Sequence, residues 1–393
     1  MKIAIISCYG EGEANSEYAK ALENEFEALG HSVEILRLPF DVVGNMSSAG
    51  RRQADLLIQQ YARRLSEFDY VNIHYEFLLF GRKECDVLNR VLTLINACQD
   101  NKFSVTFHNF PEGKIISPLK LKIRNWKKKL DHLSLVQIIF HTIARKQGTA
   151  IVHIFRHERF IRLCCPKMNI VVHPLRYKRN EELQKIRNNF SKVIFMEENG
   201  IQLSKDDKVI SIIGTLHVYK DNISVIRALN LLPENYHLFV FGGMHKLSFT
   251  DYPNGLAHIS NAQRLVLELG LTKRVHFMGY QETIEDFQNA CLFSDYIVMP
   301  YKEIGESASA AVYTSLELCR HVFCTRNNCF NELSSFAQML GGGMPCFQYD
   351  MGNYMELAEK LKTLPHEERV LKNREKFLQG YSISVNAKSY LAE

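Results

Sequence analysis

Short apolar runs and amphipathic stretches alternate along most of the chain. Near the start, the apolar run at residues 3–7 precedes a stretch in which Leu22, Phe26 and Leu29 recur at helical spacing, and Gly30 stands before a second apolar run. Short apolar runs are typical of buried strands, and a spacing of about three to four residues is typical of one face of a helix. The opening segment is therefore predicted to form a strand, a helix and a second strand.

The same alternation continues through both halves of the chain. Further strands are predicted in "YVNIHYEFLLF", "FSVTFHNF", "AIVHIF" and "NIVVHPL", and later in "KVISIIG", "YHLFVFGG", "VHFMGY", "DYIVMPY" and "HVFCT". Helices are predicted at residues 52–66, 84–98, 223–232, 262–269 and 284–293, and residues 355–393 have a helical pattern. Strands that alternate with helices predict parallel sheets covered on both faces.

The alternation stops once, in the highly charged stretch from Lys178 to about Asp207, and then restarts. A chain of 393 residues is also long for a single core, since domains usually hold about 100–200 residues. We therefore expect an α/β protein with two doubly wound, Rossmann-like domains that face each other across a cleft. The first spans residues 1–177 and the second residues 178–377.

Composition narrows the class of protein. Hydrophobic residues make up 46% of the chain and charged residues 23%, and the net charge is +5, without any motif of a nucleic-acid-binding protein. The ten cysteines include no C-x-x-C pair, which is typical of a reducing compartment. No signal peptide and no apolar stretch of about 18 residues occurs. A cytoplasmic protein that does not bind nucleic acid is expected.

In open parallel sheets, ligands bind beyond the carboxyl ends of the strands. In the second half, Gly214 and Tyr280 stand at such ends, and Lys220 follows just ahead of a predicted helix start. Free N–H groups and the helix dipole favour anions at a helix start, and an ammonium group beside it would favour a diphosphate further. The alternative is a lysine that only contacts solvent.

The run "GESASAAVYTSLE" follows another predicted strand. It places Glu306 and the small residues Ser307, Ala308 and Ser309 ahead of a helix. Small residues there let backbone N–H groups approach a ligand, and a carboxylate can accept hydrogen bonds from sugar hydroxyls. Because Ser and Ala are also ordinary at helix starts, the run indicates a ligand site only together with the other candidates.

Candidates in the first half also lie after strands. They are Gly10 and Gly12 in "CYGEGEANS", Glu76, and His108 with Asn109. The glycine loop lacks the third glycine of a dinucleotide site, so it is either a loop at the edge of the cleft or a plain turn. A lone histidine is more often structural, but His108 would face the cleft. No ligand spacing of a metal site occurs, and no metal is expected.

A basic segment, "SPLKLKIRNWKKKL", contains the only tryptophan of the chain. As a helix it would align Leu119, Ile123, Trp126 and Leu130 in one stripe. Such a helix fits an anionic membrane surface, and it equally fits a surface helix whose stripe packs on its own domain. The candidate membrane residues are Lys120, Lys122, Arg124, Trp126, Lys127, Lys128 and Lys129.

Several segments, taken in order, resemble one large family. They are "MKIAIIS", "GHSVEIL", "DYVNIHYE", "VTFHN" and "VVHP", then "IIGTLHVYKD", "LFVFGG", "VHFMGYQ", "SDYIVMPY" and "ESASAAVYTSLELCRHVFCT". Together they resemble the GT-B retaining glycosyltransferases, in particular the family (family four) that transfers hexoses from nucleotide sugars. The resemblance covers nearly the whole chain and implies that a C-terminal helix, at about 378–393, packs back on the first domain.

The resemblance also implies roles for the donor site. Glu306 would bind hydroxyls of the donor sugar, the amides after it would hold sugar or phosphate oxygens, and Lys220 would neutralise the diphosphate. Two positions depart from the family pattern, since Thr314 stands where a second glutamate binds the ribose and Thr215 stands where an arginine is usual. Gly214 and Tyr280 complete the implied donor site.

The implied acceptor side belongs to the first domain. His108 matches a histidine near the donor sugar and the acceptor, and Gly10, Gly12, Glu76 and Asn109 would lie on the same side. With Glu306 and Lys220, His108 is a candidate catalytic residue.

The function implied is a metal-independent, retaining transfer of a hexose from a nucleotide diphosphate sugar, with UDP or GDP as the expected nucleotide and no other cofactor. The acceptor would be a hydroxyl of a glycan or a lipid-linked glycan, as in the assembly of bacterial surface polysaccharide on the inner face of the cell membrane. Because of Thr215 and Thr314, a non-catalytic partner that binds sugar nucleotides or glycans stays open, as does a nucleotide-sugar epimerase.

Overall fold

In a computed structural model, described at residues 1–9, 14–176, 178–214, 219–243, 253–281, 283–302 and 309–391, the chain forms two compact units. The first unit consists of Met1–Tyr177 with Ile383–Glu393, and the second is Lys178–Ser382. Each contains a sheet of six parallel strands. The chain thus returns to the first unit at Ile383 rather than near residue 378.

The first strand of the first sheet is a continuous apolar run. In the first strand, residues 3–6 are fully buried, as expected for a parallel strand covered on both faces. The strands are β1 (Lys2–Ser7), β2 (Ser32–Arg37), β3 (Tyr70–Tyr75), β4 (Phe103–Phe107), β5 (Thr149–Val152) and β6 (Asn169–Val172), in the order β2-β1-β3-β4-β5-β6. Strand order therefore reverses between β1 and β3, where the chain switches from one side of the sheet to the other.

The helices of the first unit alternate with these strands. They are α1 (Ala14–Ala28), α2 (Phe40–Val43), α3 (Ser48–Arg64), α4 (Glu84–Ala97), α5 (Pro118–Trp126), α6 (His132–Arg145) and α7 (Phe155–Cys164). Buried apolar side chains of α4 and α6 pack with those of the sheet in one core. The doubly wound arrangement predicted from the alternation is confirmed in this unit.

Two helices occupy the charged stretch in which the alternation stops. They are α8 (Asn180–Asn189) and α9 (Lys192–Glu198). Glu182 accepts a hydrogen bond from the backbone N–H of Arg179, and the Ser191 hydroxyl accepts one from Ile194, so both helices begin at a capped end. The stretch is helical because a few apolar residues, such as Leu183 and Phe195, anchor an otherwise exposed surface.

The second unit repeats the doubly wound pattern. Its strands are β7 (Lys208–Ile213), β8 (Tyr236–Phe241), β9 (Val275–Phe277), β10 (Tyr296–Met299), β11 (His321–Thr325) and β12 (Phe347–Tyr349), in the order β12-β11-β10-β7-β8-β9. Its further helices are α10 (Asn222–Leu229), α11 (Pro253–Glu268), α12 (Ile284–Phe293), α13 (Ala310–Leu318), α14 (Asn328–Met339), α15 (Tyr354–Thr363) and α16 (Glu367–Gly380). Here strand order reverses between β7 and β10.

The last helix, α17 (Ile383–Tyr390), belongs to the first unit. The buried Tyr390 is its main anchor, because the Tyr390 hydroxyl lies 3.0 Å from the Tyr18 hydroxyl and its backbone carbonyl accepts a hydrogen bond from the Tyr70 hydroxyl at 2.8 Å. The Asn386 amide donates to the carbonyl of Pro174 at 3.0 Å. Residues distant in sequence therefore complete the core and the hydrogen bonds of the first unit.

Replacing Tyr390 by Ala is expected to destabilise the first unit by about 3–5 kcal/mol, because it removes a buried ring and its hydrogen bond with the Tyr18 hydroxyl. Hydrogen exchange of β1–β6, followed by mass spectrometry, should accelerate while exchange of β7–β12 stays unchanged. Lys388→Ala, at an exposed position of the same helix, is the control. Equal acceleration in both sheets, or in neither, would contradict the assignment of α17 to the first unit.

Candidate functional site

The reversal of strand order between β7 and β10 makes the carboxyl end of this strand pair a place for a ligand. The two segments that leave these strands are joined by backbone hydrogen bonds. Asp221 N–H donates to the carbonyl of Pro300 at 2.9 Å, and Lys302 N–H donates to the carbonyl of Tyr219 at 2.7 Å. Lys220 and Tyr301 are therefore bridged like neighbours on antiparallel strands, and each holds the other in place.

The Lys220 side chain lies at the centre of this arrangement. It is 5% exposed, and its Nζ atom lies 5.8 Å from the centre of the Tyr219 ring and 5.1 Å from that of the Tyr301 ring. Aromatic faces attract an ammonium group at such distances. The rings and the bridge therefore hold the Lys220 ammonium at the switch point of the sheet.

Gly214 makes room for that ammonium. Its φ angle is +110°, and a Cβ atom added there would lie 3.0 Å from Lys220 Nζ. Both the left-handed backbone and the lysine therefore require glycine at the end of β7. A second close approach occurs beside it, since a Cβ atom on Gly243 would lie 3.0 Å from the backbone N of Tyr280. The half-buried Tyr280 is thus held against the end of β8.

Helix α10 begins directly after the first of the joined segments. The N-terminus of α10 follows Lys220, and Asn222 at its first position is 3% exposed, with an Oδ1 atom that has no hydrogen-bond partner among the described residues. A buried amide oxygen without a partner is costly unless a donor from a ligand or water meets it. The start of α10 therefore offers the positive end of the helix dipole and one side-chain acceptor beside the ammonium of Lys220, while the N–H groups of Asn222 and Ser224 donate to the carbonyls of Lys220 and Asp221.

Tyr301 connects the start of α13 to this group, and sequence reasoning missed it. Its hydroxyl lies 3.2 Å from the hydroxyl of the buried Ser309, and its carbonyl accepts hydrogen bonds from Thr325 Oγ1 at 2.6 Å and Asn327 Nδ2 at 3.1 Å. The ends of β10 and β11 and the start of α13 are thus fixed together. The one signal in the sequence was the position of Pro300-Tyr301 immediately after a buried strand.

The Thr314 hydroxyl lies one turn into α13. It donates to the carbonyl of Ala310 at a long 3.4 Å, and the side chain is half-buried. Its oxygen keeps acceptor capacity for a donor group of a ligand. Thr314 therefore differs from a carboxylate in that it brings no charge to the start of α13.

Six of the sequence candidates lie outside the described residues. They are Gly10, Gly12, Thr215, Glu306, Ser307 and Ala308. Their roles stay predictions.

The reversal point of the first sheet, between β1 and β3, gathers a second set of candidates. Glu76, just after β3, accepts a hydrogen bond from the amide of Asn15 near the start of α1. The Ser7 hydroxyl lies 3.1 Å from His74 Nδ1, and His108 Nε2 lies 3.2 Å from the same atom. His74, which was not among the sequence candidates, therefore links His108 to the end of β1. Asn109 is exposed beside His108.

His74 and His108 belong to a cluster of four histidines, one at or near the carboxyl end of each of β3 to β6. Neighbouring ring centres are 5.0 Å apart for His74 and His108, 5.6 Å for His108 and His153, and 5.4 Å for His153 and His173. The Tyr18 ring contacts all four. Among the described residues, the Nε2 atoms of His74, His153 and His173 are buried without a hydrogen-bond partner.

Burial keeps the four imidazoles neutral. It lowers the pKa of His74 to about 3 and that of His173 to about 4. The pKa values of His108 and His153 are also well below 6.5, chiefly because of burial and then because neighbouring imidazoles would repel a second charge. His108 is therefore suited to donate or accept a hydrogen bond in its neutral form rather than to act as a cation.

Within the parts of the chain that are described, no group of three or more His, Cys, Asp or Glu side chains converges to hold a metal ion. The basic segment forms a shorter helix than expected, since α5 ends at Trp126 and Leu130 lies beyond it, half-buried against the first core. None of the helices in the described ranges is long and apolar enough to span a bilayer.

The free energy of unfolding should fall as the pH falls below about 6.5. The histidines of the unfolded chain then bind protons, whereas the buried histidines of the folded chain stay neutral. The loss should be on the order of 1 kcal/mol per pH unit for each such histidine, and for His74 and His173 it should continue until their native pKa values of about 3 and about 4 are reached. Urea titrations at about pH 7.5 and about pH 5 test this. His173→Gln should flatten the dependence, whereas His366→Asn, an exposed position of the second unit, is the control. Stability that does not change with pH would contradict the neutral cluster.

Comparison with known proteins gives the fold a name. No family model matches the sequence, and a search of curated proteins found no match. Among solved structures, a glycosyltransferase from Rickettsia africae ESF-5 has a TM-score of 0.67 at 13% identity, and the match covers 100% of this chain and 97% of that one.

Two further structures give the same picture. Anabaena HepE in complex with UDP has a TM-score of 0.60 at 13% identity, with 100% and 98% of the two chains covered. A UDP-forming α,α-trehalose-phosphate synthase from Burkholderia xenovorans, in complex with glucose-6-phosphate, has a TM-score of 0.66 at 10% identity, with 100% and 99% covered. The likeness extends over the whole chain, and it confirms that the fold of this protein is GT-B, with two Rossmann-like α/β units.

Proposed function

We propose that the protein is a glycosyltransferase that moves a sugar, expected to be a hexose, from a nucleotide diphosphate sugar to a hydroxyl of a glycan or lipid-linked acceptor. The observation that carries this proposal is the buried Lys220 ammonium at the switch point of the second sheet, beside the start of α10. A cation and the positive end of a helix dipole together suit a diphosphate. The GT-B fold supports the same reading.

UDP is the first nucleotide to test, and GDP the second. Solved structures of HepE, which has this fold, are in complex with UDP and with UDP-glucose. In our proposal the donor diphosphate binds at Lys220 and the N-terminus of α10, and the donor sugar binds at Glu306 and the amides that follow it. Gly214 and Tyr280 border the diphosphate, and Thr314 makes a neutral hydrogen bond to the ribose.

The proposed reaction retains configuration at the anomeric carbon and uses no metal. The acceptor hydroxyl attacks that carbon from the side of the leaving group, the bond to the diphosphate oxygen breaks, and the hydroxyl proton passes to the departing phosphate. The negative charge that develops on the diphosphate is stabilised by Lys220 and the dipole of α10. The neutral His108 would position hydroxyls of the sugar or acceptor by hydrogen bonding, with His74 fixing its orientation.

The acceptor is assigned to the first unit. Glu76, Asn109 and His108 follow β3 and β4, and their carboxylate, amide and imidazole groups are suited to hydroxyl-rich ligands. We expect the reaction on the cytoplasmic side of the cell membrane, in the assembly of a surface polysaccharide.

The alternative of a non-catalytic partner is favoured by one observation. Thr314 occupies the position at which the resembled family has a glutamate that binds the ribose. Its hydroxyl donates to the backbone of its own helix. A neutral hydrogen bond contributes about 1 kcal/mol, against about 1.5–3 kcal/mol with a charged partner. Such a protein would bind a sugar nucleotide without consuming it.

A thermal-shift screen of UDP-, GDP-, ADP- and CMP-sugars tests the donor site. At about 100 times Kd, the matching donor should raise the free energy of unfolding by about 2.7 kcal/mol. Lys220→Met should reduce that rise because the diphosphate loses its cation, whereas Lys273→Met, an exposed position ahead of β9, should keep it. An equal rise in the Lys220 variant would show that Lys220 is not part of the donor site. No rise with any donor would contradict the proposed function.

Turnover of the identified donor tests Glu306. Glu306→Ala is expected to lower the rate of transfer at least about 100-fold, since a group that orients the sugar in the transition state is lost. Glu268→Ala, an exposed carboxylate at the end of α11, should transfer at the wild-type rate. Donor binding without consumption would identify a non-catalytic partner. Conversion of the donor in the absence of acceptor would identify an epimerase.

A further inference from the structure

Helix α5 carries its apolar stripe on the outside of the molecule. Leu119 is 69% exposed, Ile123 43% and Trp126 80%, whereas Leu121 is only 3% exposed. At about 100° per residue, Leu121 points roughly opposite to the other three, so the helix packs on the first unit through Leu121. An apolar stripe on the outer side of a helix is unusual, because large apolar side chains are normally buried.

The outward orientation is fixed by specific contacts. Arg124 Nη1 donates to Asp131 Oδ2 at 3.0 Å and to Ser134 Oγ at 2.6 Å, which ties α5 to the start of α6. Gln137 in α6 holds the preceding segment, since it accepts from Ile116 N–H at 2.9 Å and donates to the carbonyl of Lys114 at 3.0 Å. Arg124 therefore fastens the helix and is not counted in the outer surface.

The stripe is surrounded by positive charge. Residues 113–130 contain seven basic residues and no Asp or Glu, although the whole chain has a net charge of only +5. The remainder of the chain is therefore acidic on balance. The acidic residues at either end of the segment are engaged, Glu112 with Arg156 and Asp131 with Arg124.

We propose that this surface docks on an anionic lipid bilayer. The surface, called here the α5 face, consists of the exposed side chains of Lys114, Ile115, Leu119, Lys120, Lys122, Ile123, Trp126, Lys127, Lys128 and Lys129. Its apolar ridge enters the boundary between headgroups and acyl chains, and its lysines bind lipid phosphates on both sides of the ridge. The protein lies on the membrane surface by this face.

A bilayer fits the α5 face better than a second copy of the chain does. Self-association through one patch would bring two sets of lysines together, and like charges oppose such an interface. Trp126 at the edge of the ridge suits a bilayer interface, where an indole ring has an apolar body and a polar N–H group. The inference does not depend on the proposed glycosyltransferase activity.

The fluorescence of Trp126 is the test, because it is the only tryptophan of the chain and reports on this face alone. Vesicles of phosphatidylcholine with about one-third phosphatidylglycerol should shift its emission to the blue and protect it from acrylamide, and the protein should sediment with them. Vesicles of phosphatidylcholine alone should do much less.

Two sets of substitutions separate charge from apolar contact. The triple variant Lys120→Glu, Lys122→Glu and Lys127→Glu should bind the anionic vesicles at least about tenfold more weakly. The matched variant Lys20→Glu, Lys102→Glu and Lys167→Glu has the same change of charge at exposed positions outside the face and should bind more strongly than the first. Leu119→Ser with Ile123→Ser should reduce the blue shift while the melting temperature stays unchanged.

Three outcomes would overturn the inference. Sedimentation with vesicles without a change in Trp126 emission would place the contact on another surface. Equal binding to neutral vesicles would reject the role of the lysines. A dimer in solution that dissociates on Trp126→Ser, without binding to vesicles, would identify a second copy as the occupant.

Discussion

The second unit depends on the pairing of two segments that leave β7 and β10. Two backbone hydrogen bonds close this pairing, and it forms where the strand order reverses. One short bridge thus fixes Lys220, the start of α10 and, through Tyr301, the start of α13. The rings beside Lys220 and the absence of a side chain at Gly214 then set the position of its ammonium group. A site built in this way is held by backbone, so it is preorganised before any ligand arrives.

The first unit has the same kind of sheet but different side chains at the ends of its strands. Its strand ends carry four neutral histidines, three of them buried, and these rings pack around Tyr18, with Tyr390 against His173. Neutral imidazoles offer hydrogen bonds without a fixed charge, which suits ligands rich in hydroxyl groups. The two units therefore differ at the carboxyl ends of their strands, where the second unit has a buried lysine and the first has a cluster of neutral imidazoles.

Sequence patterns predicted eleven of the twelve strands in the described ranges, because a buried parallel strand is usually an apolar run that needs no partner to be recognised. They missed β12, which has only three residues. They failed at α8 and α9, where a few apolar anchors such as Leu183 carry helices made mostly of charged residues. They missed the bridge between Lys220 and Tyr301, since contacts between distant segments leave no local pattern. Spacing grouped Leu119, Ile123 and Trp126 on one side of α5, but only the burial of Leu121 shows that this side is the outer one.

The return of the chain to the first unit sets the order in which the protein can be completed. The tyrosine that closes the core of the first unit is translated after the whole second unit, since residues 178–382 intervene. At ordinary synthesis rates that interval is on the order of ten seconds or more. During it the nascent first unit has its six strands but lacks α17, so Tyr18, Tyr70 and Phe26 stay uncovered. The second unit is contiguous in sequence and can finish folding first. The N-terminal unit completes its core last, when α17 packs on it.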